Sequence, residues 1–145
     1  MMKAIGVLVS LMLLATGAQA QSAKEKYELI ERCAKQAAEV FAKEWGTGSV
    51  KDREYELRGR YENHYSSRFN KCFYLEIDTT STNKTLTKRM TLWDLNDNKH
   101  YGSYAKDDPH TLSSLPDPVE CWTLQEKQCK SEEEWRSLIK PFMED

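Results

Sequence analysis

The sequence predicts an α+β domain: a small antiparallel β-sheet, wound as a meander, packed against an N-terminal helix and closed by a short C-terminal helix. Three observations predict it. Residues 71–104 (KCFYLEIDTTSTNKTLTKRMTLWDLNDNKHYGSY) hold three runs of alternating side chains separated by two turn-forming clusters. Residues 22–45 repeat apolar side chains at three- and four-residue steps behind a helix-start signal. Residues 131–142 do the same over a shorter span.

The chain opens MMKAIGVLVSLMLLATGAQA, in which the single charge Lys3 precedes an apolar run over residues 4–15 and the small-x-small ending Ala18-Gln19-Ala20. The run is short for a bilayer span, which takes about 20 residues. A cleavage pattern follows it rather than a basic stop-transfer cluster, and no cysteine that could be lipidated comes next. We expect a signal peptide over residues 1–20, cleavage after Ala20, and one α+β domain over residues 21–145 in the periplasm or secreted. No later segment is apolar for long enough to span a membrane. Loss of Lys3 leaves 20 basic against 23 acidic side chains, a net −3. So small a charge argues against nucleic acid and against adhesion to anionic lipid.

Four cysteines, Cys33, Cys72, Cys121 and Cys129, follow the leader. An even count in an oxidising compartment reads as two disulfides, with three connectivities open. We favour Cys33–Cys72, tying the N-terminal helix to the sheet, with Cys121–Cys129 closing a short loop. A four-thiolate zinc site would need closely spaced ligand pairs, which are absent.

Element by element, Ser22-Ala-Lys-Glu25 is a capping box, and its helix should run to about Trp45 and stop at Gly46 or Gly48. Ile30, Cys33, Ala34, Ala37, Phe41 and Trp45 make its apolar stripe. In residues 47–60, Tyr55 and Leu57 alternate with charges, predicting a short edge strand broken at Gly59. Residues 61–70 read either as a further strand or as an ordered loop. The central strand, residues 72–78, sets Phe73, Leu75 and Ile77 on one face and Cys72, Tyr74 and Glu76 on the other. Cys72 thus points away from its strand's apolar face, which calls for a bulge near Lys71 or a helix covering the Cys72 side. Turns at residues 80–84 and 96–99 lead to strands over residues 86–95 and 100–105. Trp93 interrupts the polar face of the former, as it would beneath something packed on that end. Residues 107–118 carry three of the four prolines and read as a crossing loop, and residues 119–124 as a short strand. Ser131–Glu134 is a second capping box, with Trp135, Leu138, Ile139 and Phe142 as the stripe behind it and Pro141 limiting the helix.

Candidate sites are weighed against plainer roles. Asp94-Leu-Asn96-Asp97-Asn98 spaces oxygen ligands like the start of a calcium loop. An EF-hand needs glycine at its sixth position and glutamate at its twelfth, and those are Lys99 and Ala105, so a hairpin turn is expected. His64, His100 and His110 lack the spacing of a helical metal pair and adjoin no nucleophile motif. No metal or cofactor is expected. Lys84, Lys88 and Arg89 give the first hairpin a basic, solvated edge. Asn83-Lys84-Thr85 is a glycosylation sequon on a turn, while the leader is bacterial in style. Seven tyrosines and four tryptophans are many for this length. Trp45, Trp93, Trp122 and Trp135 are expected to fill a core short of Leu and Val. Tyr61, Tyr65, Tyr74, Tyr101 and Tyr104 form the candidate binding face, a platform for a glycan or a protein.

The leader, CAKQAAEVFAKEW, NHYSSRFNKCFYLEI, LWDLNDNKHYGSY and SEEEWRSLIKPFME together resemble uncharacterised families of small exported bacterial proteins. The resemblance implies a periplasmic or secreted location and carries over no active residue. The expected function is a non-catalytic binding or accessory protein of the cell envelope, engaging an envelope protein or glycan. The alternative, from another class, is a small periplasmic hydrolase with its site around His64 or His100.

Overall fold

Helix α1 (Ala23–Trp45) begins where the sequence signals it. Ser22 Oγ accepts from the Glu25 N–H at 3.2 Å, and Glu25 Oε2 accepts from the Ser22 N–H at 3.0 Å, so both halves of the capping box form. It ends at Gly46, whose φ of 56° lies in the left-handed region that favours glycine. The computed structural model describes residues 22–109, 117–124 and 128–145; the leader, His110 and the centre of the proline-rich loop lie outside the described residues. The stripe that α1 buries is narrower than expected. Cys33 and Ala37 are buried with Phe41 and Trp45 half-covered, whereas Ile30 and Ala34 face solvent. The helix rests on two strands near one edge of the sheet, so its outer flank has nothing beneath it.

Six strands follow: β1 (Ser49–Lys51), β2 (Tyr55–Ser66), β3 (Lys71–Thr82), β4 (Thr85–Asp94), β5 (Lys99–Pro109) and β6 (Glu120–Thr123). They pair antiparallel in chain order, β1-β2-β3-β4-β5-β6, which is the expected meander widened at both ends. Residues 61–66 resolve as strand and 67–70 as a turn: β2 runs unbroken through Gly59 to Ser66, and Asn70 takes φ 51° before β3. Gly59 does not break its strand because it answers a packing need. A Cβ there would fall inside the Trp45 ring atoms Cδ2 and Cε3, and that indole is held by its Nε1–H donating to Glu76 Oε1 at 2.7 Å. Gly59→Ala should therefore displace the ring and cost about 1–3 kcal/mol, as overpacking does. The check is the urea midpoint together with tryptophan fluorescence; an unchanged pair of readings would mean the ring yields freely.

The sheet is covered on both faces, which resolves the misplaced Cys72. Phe73, Leu75 and Ile77 pack with Met90, Leu92 and Tyr104 under helix α2 (Glu132–Met143), which adds Trp135, Ile139 and Phe142. Cys72 and Tyr74 lie on the opposite face under α1, where Phe41 meets Tyr61 and Tyr61 meets Tyr74 at ring separations of 4.9 and 5.5 Å. The helix covers Cys72, and the bulge sits elsewhere, between Leu92 and Trp93 against β5. Cys33 is bonded to Cys72 and Cys121 to Cys129, each pair with Cα atoms 5.3 Å apart.

Two expectations need correction. The tryptophans do not share a core: Trp135 is fully buried, while Trp45, Trp93 and Trp122 are half-buried on the α1 side of the sheet. Their indole N–H groups need acceptors near the surface, and Trp122 finds one in Glu120 at 2.7 Å. The second capping box forms only in part. Ser131 Oγ accepts from the Glu134 N–H at 3.1 Å, but the Glu134 carboxylate reaches past Ser131 to the Lys130 N–H at 2.8 Å. Helix α2 also continues through Pro141 to Met143.

Candidate functional site

Two periodicities converge beside the Cys33–Cys72 bond. On α1, a four-residue step aligns Gln36, Val40 and Glu44 in a row next to the buried one. On β3, a two-residue step puts Tyr74 and Glu76 on the face that row overlooks. Trp93 from β4 and Leu95 and Asn98 from the β4–β5 turn complete the wall of a cavity of 270 Å³. Gln36 Nε2 donates to the Leu95 carbonyl at 3.1 Å, fixing the helix to the turn at the cavity's rim.

The electrostatics of this cavity are one-sided. Tyr74 is 1 % exposed and its hydroxyl has no hydrogen-bond partner among the described residues. Burial pushes its pKa up, and the Glu76 and Glu44 charges push it further. Burial likewise raises the Glu76 carboxyl; Glu44 and Asp78 reinforce this, while the Trp45 N–H and the Arg89 charge oppose it. Asp78 is raised by burial and drawn back by Arg89, which lies directly opposite it on β4. Among the described residues no cation lines the cavity, which carries two carboxylates.

No family model, curated protein or solved structure matches this chain. Its chemistry must be read from its own side chains.

The five tyrosines of the candidate face are not brought together. Tyr61, Tyr65 and Tyr74 lie on the α1 face, with Tyr65 and Tyr74 buried. Tyr101 and Tyr104 belong to the α2 face, where Tyr104 is buried and Tyr101 packs on Phe73. Tyr74 alone of the five lines the cavity described above. What sequence reading missed is Glu44, Glu76 and Trp93 as a group. The one available signal was Trp93 standing where its strand's alternation called for a polar residue.

Both described histidines have assigned tasks. The His100 ring stacks on Trp93 at 4.7 Å and meets the Trp122 edge at 4.7 Å, while its Nε2–H donates to the Gly102 carbonyl at 3.0 Å. His64 Nε2 lies 3.3 Å from Asp145 Oδ1, and Ser67 Oγ–H donates to Asp145 Oδ2 at 3.1 Å. A serine nucleophile must hand its proton to imidazole. Here Ser67 hands it to the carboxylate instead, so the cluster has the members of a catalytic triad and the wrong connections. It acts as a clamp: Asp145 also takes the Lys26 ammonium at 2.8 Å, joining α1, the end of β2 and the segment after α2.

Chiefly through Lys26, the Asp145 carboxyl is lowered from an ordinary 3.8 to about 2. Because its folded pKa is depressed, the clamp's contribution is present above about pH 4 and is lost as pH falls through 2. Asp145→Asn should lower the urea midpoint at pH 5 and converge with the parent near pH 2. A constant difference between the two across that range would count against the clamp.

The calcium-like loop carries its own cation. Lys71 Nζ pairs with both Asp94 and Asp97, Asp94 Oδ1 accepts from the Asn96 N–H at 2.9 Å, and Asn98 turns the chain at φ 50°. Among the described residues no three His, Cys, Asp or Glu side chains converge as metal ligands, and no helix is long and apolar enough to cross a membrane.

Proposed function

We propose that the mature chain is an exported, non-catalytic binding protein of the cell envelope that receives its ligand in the cavity between α1 and the sheet. One observation carries this reading. The Tyr74 hydroxyl is withdrawn from solvent without a partner, a costly arrangement unless something supplies one. The cavity wall holds no serine, threonine, cysteine, histidine or lysine, hence no nucleophile of those types and no imidazole base. Two disulfides favour an oxidising compartment, in keeping with the leader.

The hydrolase alternative draws on His64 beside Asp145. Both readings are tested on protein recovered from the periplasmic fraction or the medium. Mass measurement should find the chain starting at Gln21. Incubation with purified cell-wall sacculi should release no soluble fragment, while Val40→Trp, which fills the cavity, should abolish capture of the envelope ligand. Release of fragments that His64→Ala abolishes would reverse the ranking.

A further inference from the structure

We propose that the cavity recognises a protonated amine on a short alkyl chain: an organic ammonium group, carried by a free amine or by a lysine side chain. This rests on the binding reading above and names its ligand class.

The wall offers acceptors where a cation's N–H groups would need them. Glu76 gives Oε1 to the Trp45 indole, and its Oε2 has no partner among the described residues. Glu44, exposed at the rim, makes no ion pair among the described residues, and Tyr74, whose hydroxyl has no partner among them, lines the same cavity. Arg89 balances part of this charge from a distance, but it does not line the cavity and its register sets it opposite Asp78. Burial makes Glu76 costly to ionise in the empty protein, with Glu44 adding negative charge from the exposed rim. An ammonium ion in the cavity would offset that cost.

The rest of the wall suits the remainder of such a ligand. Trp93 presents indole surface beyond the part that His100 covers, and indole is the strongest of the aromatic partners for a cation. Val40 and Leu95 supply apolar surface for methylenes. The volume of 270 Å³ lies just below the range of roughly 300–1,000 Å³ typical of drug-sized ligands. That favours a single chain end over an oligosaccharide. A neutral sugar would also leave the half-buried Glu76 carboxylate without a cationic partner in the cavity.

The test uses the mature, disulfide-bonded protein and isothermal titration calorimetry. The probes are n-pentylamine, the peptide Gly-Lys-Gly, and n-pentanol as a neutral isostere. Saturable binding of the amine, the peptide or both, with n-pentanol weaker by about tenfold or more, is expected. The better of the two cationic probes identifies the source of the group. Glu76→Gln keeps the acceptor for Trp45 and the side-chain volume, and should weaken ammonium binding by about tenfold. Tyr74→Phe should weaken it several-fold without lowering the unfolding midpoint, because it deletes an unpartnered hydroxyl. Equal uptake of n-pentanol, or undiminished ammonium binding by Glu76→Gln, would overturn the ammonium assignment and leave the cavity standing as a binding site. No saturable binding of any probe, with envelope capture unaffected by Val40→Trp, would overturn both.

Discussion

Replacing Cys33 and Cys72 together with alanine should lower the unfolding free energy by about 4 kcal/mol. The bond joins residues 39 apart in sequence, and the chain-entropy model converts that loop into the figure given. The same model assigns about 2.5 kcal/mol to Cys121–Cys129, whose partners are only 8 apart. Domains of this size hold about 5–15 kcal/mol in all, so the first loss threatens folding and the second does not. There is a structural reason to expect the larger loss in full. Cys33 and Cys72 are both buried, and with Tyr65 they are the fully buried part of the contact between α1 and the sheet at this end. Equilibrium urea unfolding of the two double-alanine variants decides the matter. A smaller loss for the Cys33–Cys72 pair than for the other would mean that α1 stays docked without its covalent tie.

Lys71→Met should cost about 3 kcal/mol. Asp94 is fully buried, and Lys71 is the only cation paired with it among the described residues. Methionine keeps most of the aliphatic stem and removes the charge, leaving a carboxylate that water cannot reach. Asp94, and Asp97 after it, hold the Lys71 ammonium well above the usual lysine range. The pair's contribution is therefore complete throughout neutral pH, and as a raised lysine pKa it would fade only in strong alkali. The double variant Lys71→Met with Asp94→Asn isolates the charge. It should recover part of the loss, since a neutral amide can still accept the Asn96 N–H. If Lys71→Met alone is as stable as the parent, Asp94 is not held as a buried anion.

Much of this fold was legible because local chemistry and global arrangement agree. Ser22 and Glu25 mark the start of α1, Gly46 marks its end, and Cys33 on its inner stripe points to a partner on a strand. The hairpin turns are written in threonine and asparagine: Thr82 Oγ1 accepts from the Lys84 and Thr85 N–H groups, and Asn98 takes the left-handed turn. The candidate site was not legible, for a physical reason. Alternation distinguishes core from solvent only when one face of a sheet is bare. Here α1 covers the second face, so Glu76, which by alternation reads as a solvent residue, is half-buried beside Tyr74. Gly59 misled for a related reason, since its role is set by Trp45, a residue 14 positions earlier on another element. The tyrosines stand out by abundance, whereas register places them on opposite faces, and the β5 register shift that skips Tyr101 puts it on the same face as Tyr104.

The two disulfides lie on opposite sides of the sheet. Cys72 shares the α1 face with Tyr65, while Cys121 pairs in register with Tyr104 on the α2 face. A formed β-meander is thus a partition between two thiol compartments. Crossed bridges such as Cys72–Cys121 would have to pass through hydrogen-bonded backbone. Of the three ways to join four sulfurs, the folded arrangement therefore leaves one within reach: each helix-side cysteine meets the strand cysteine on its own face.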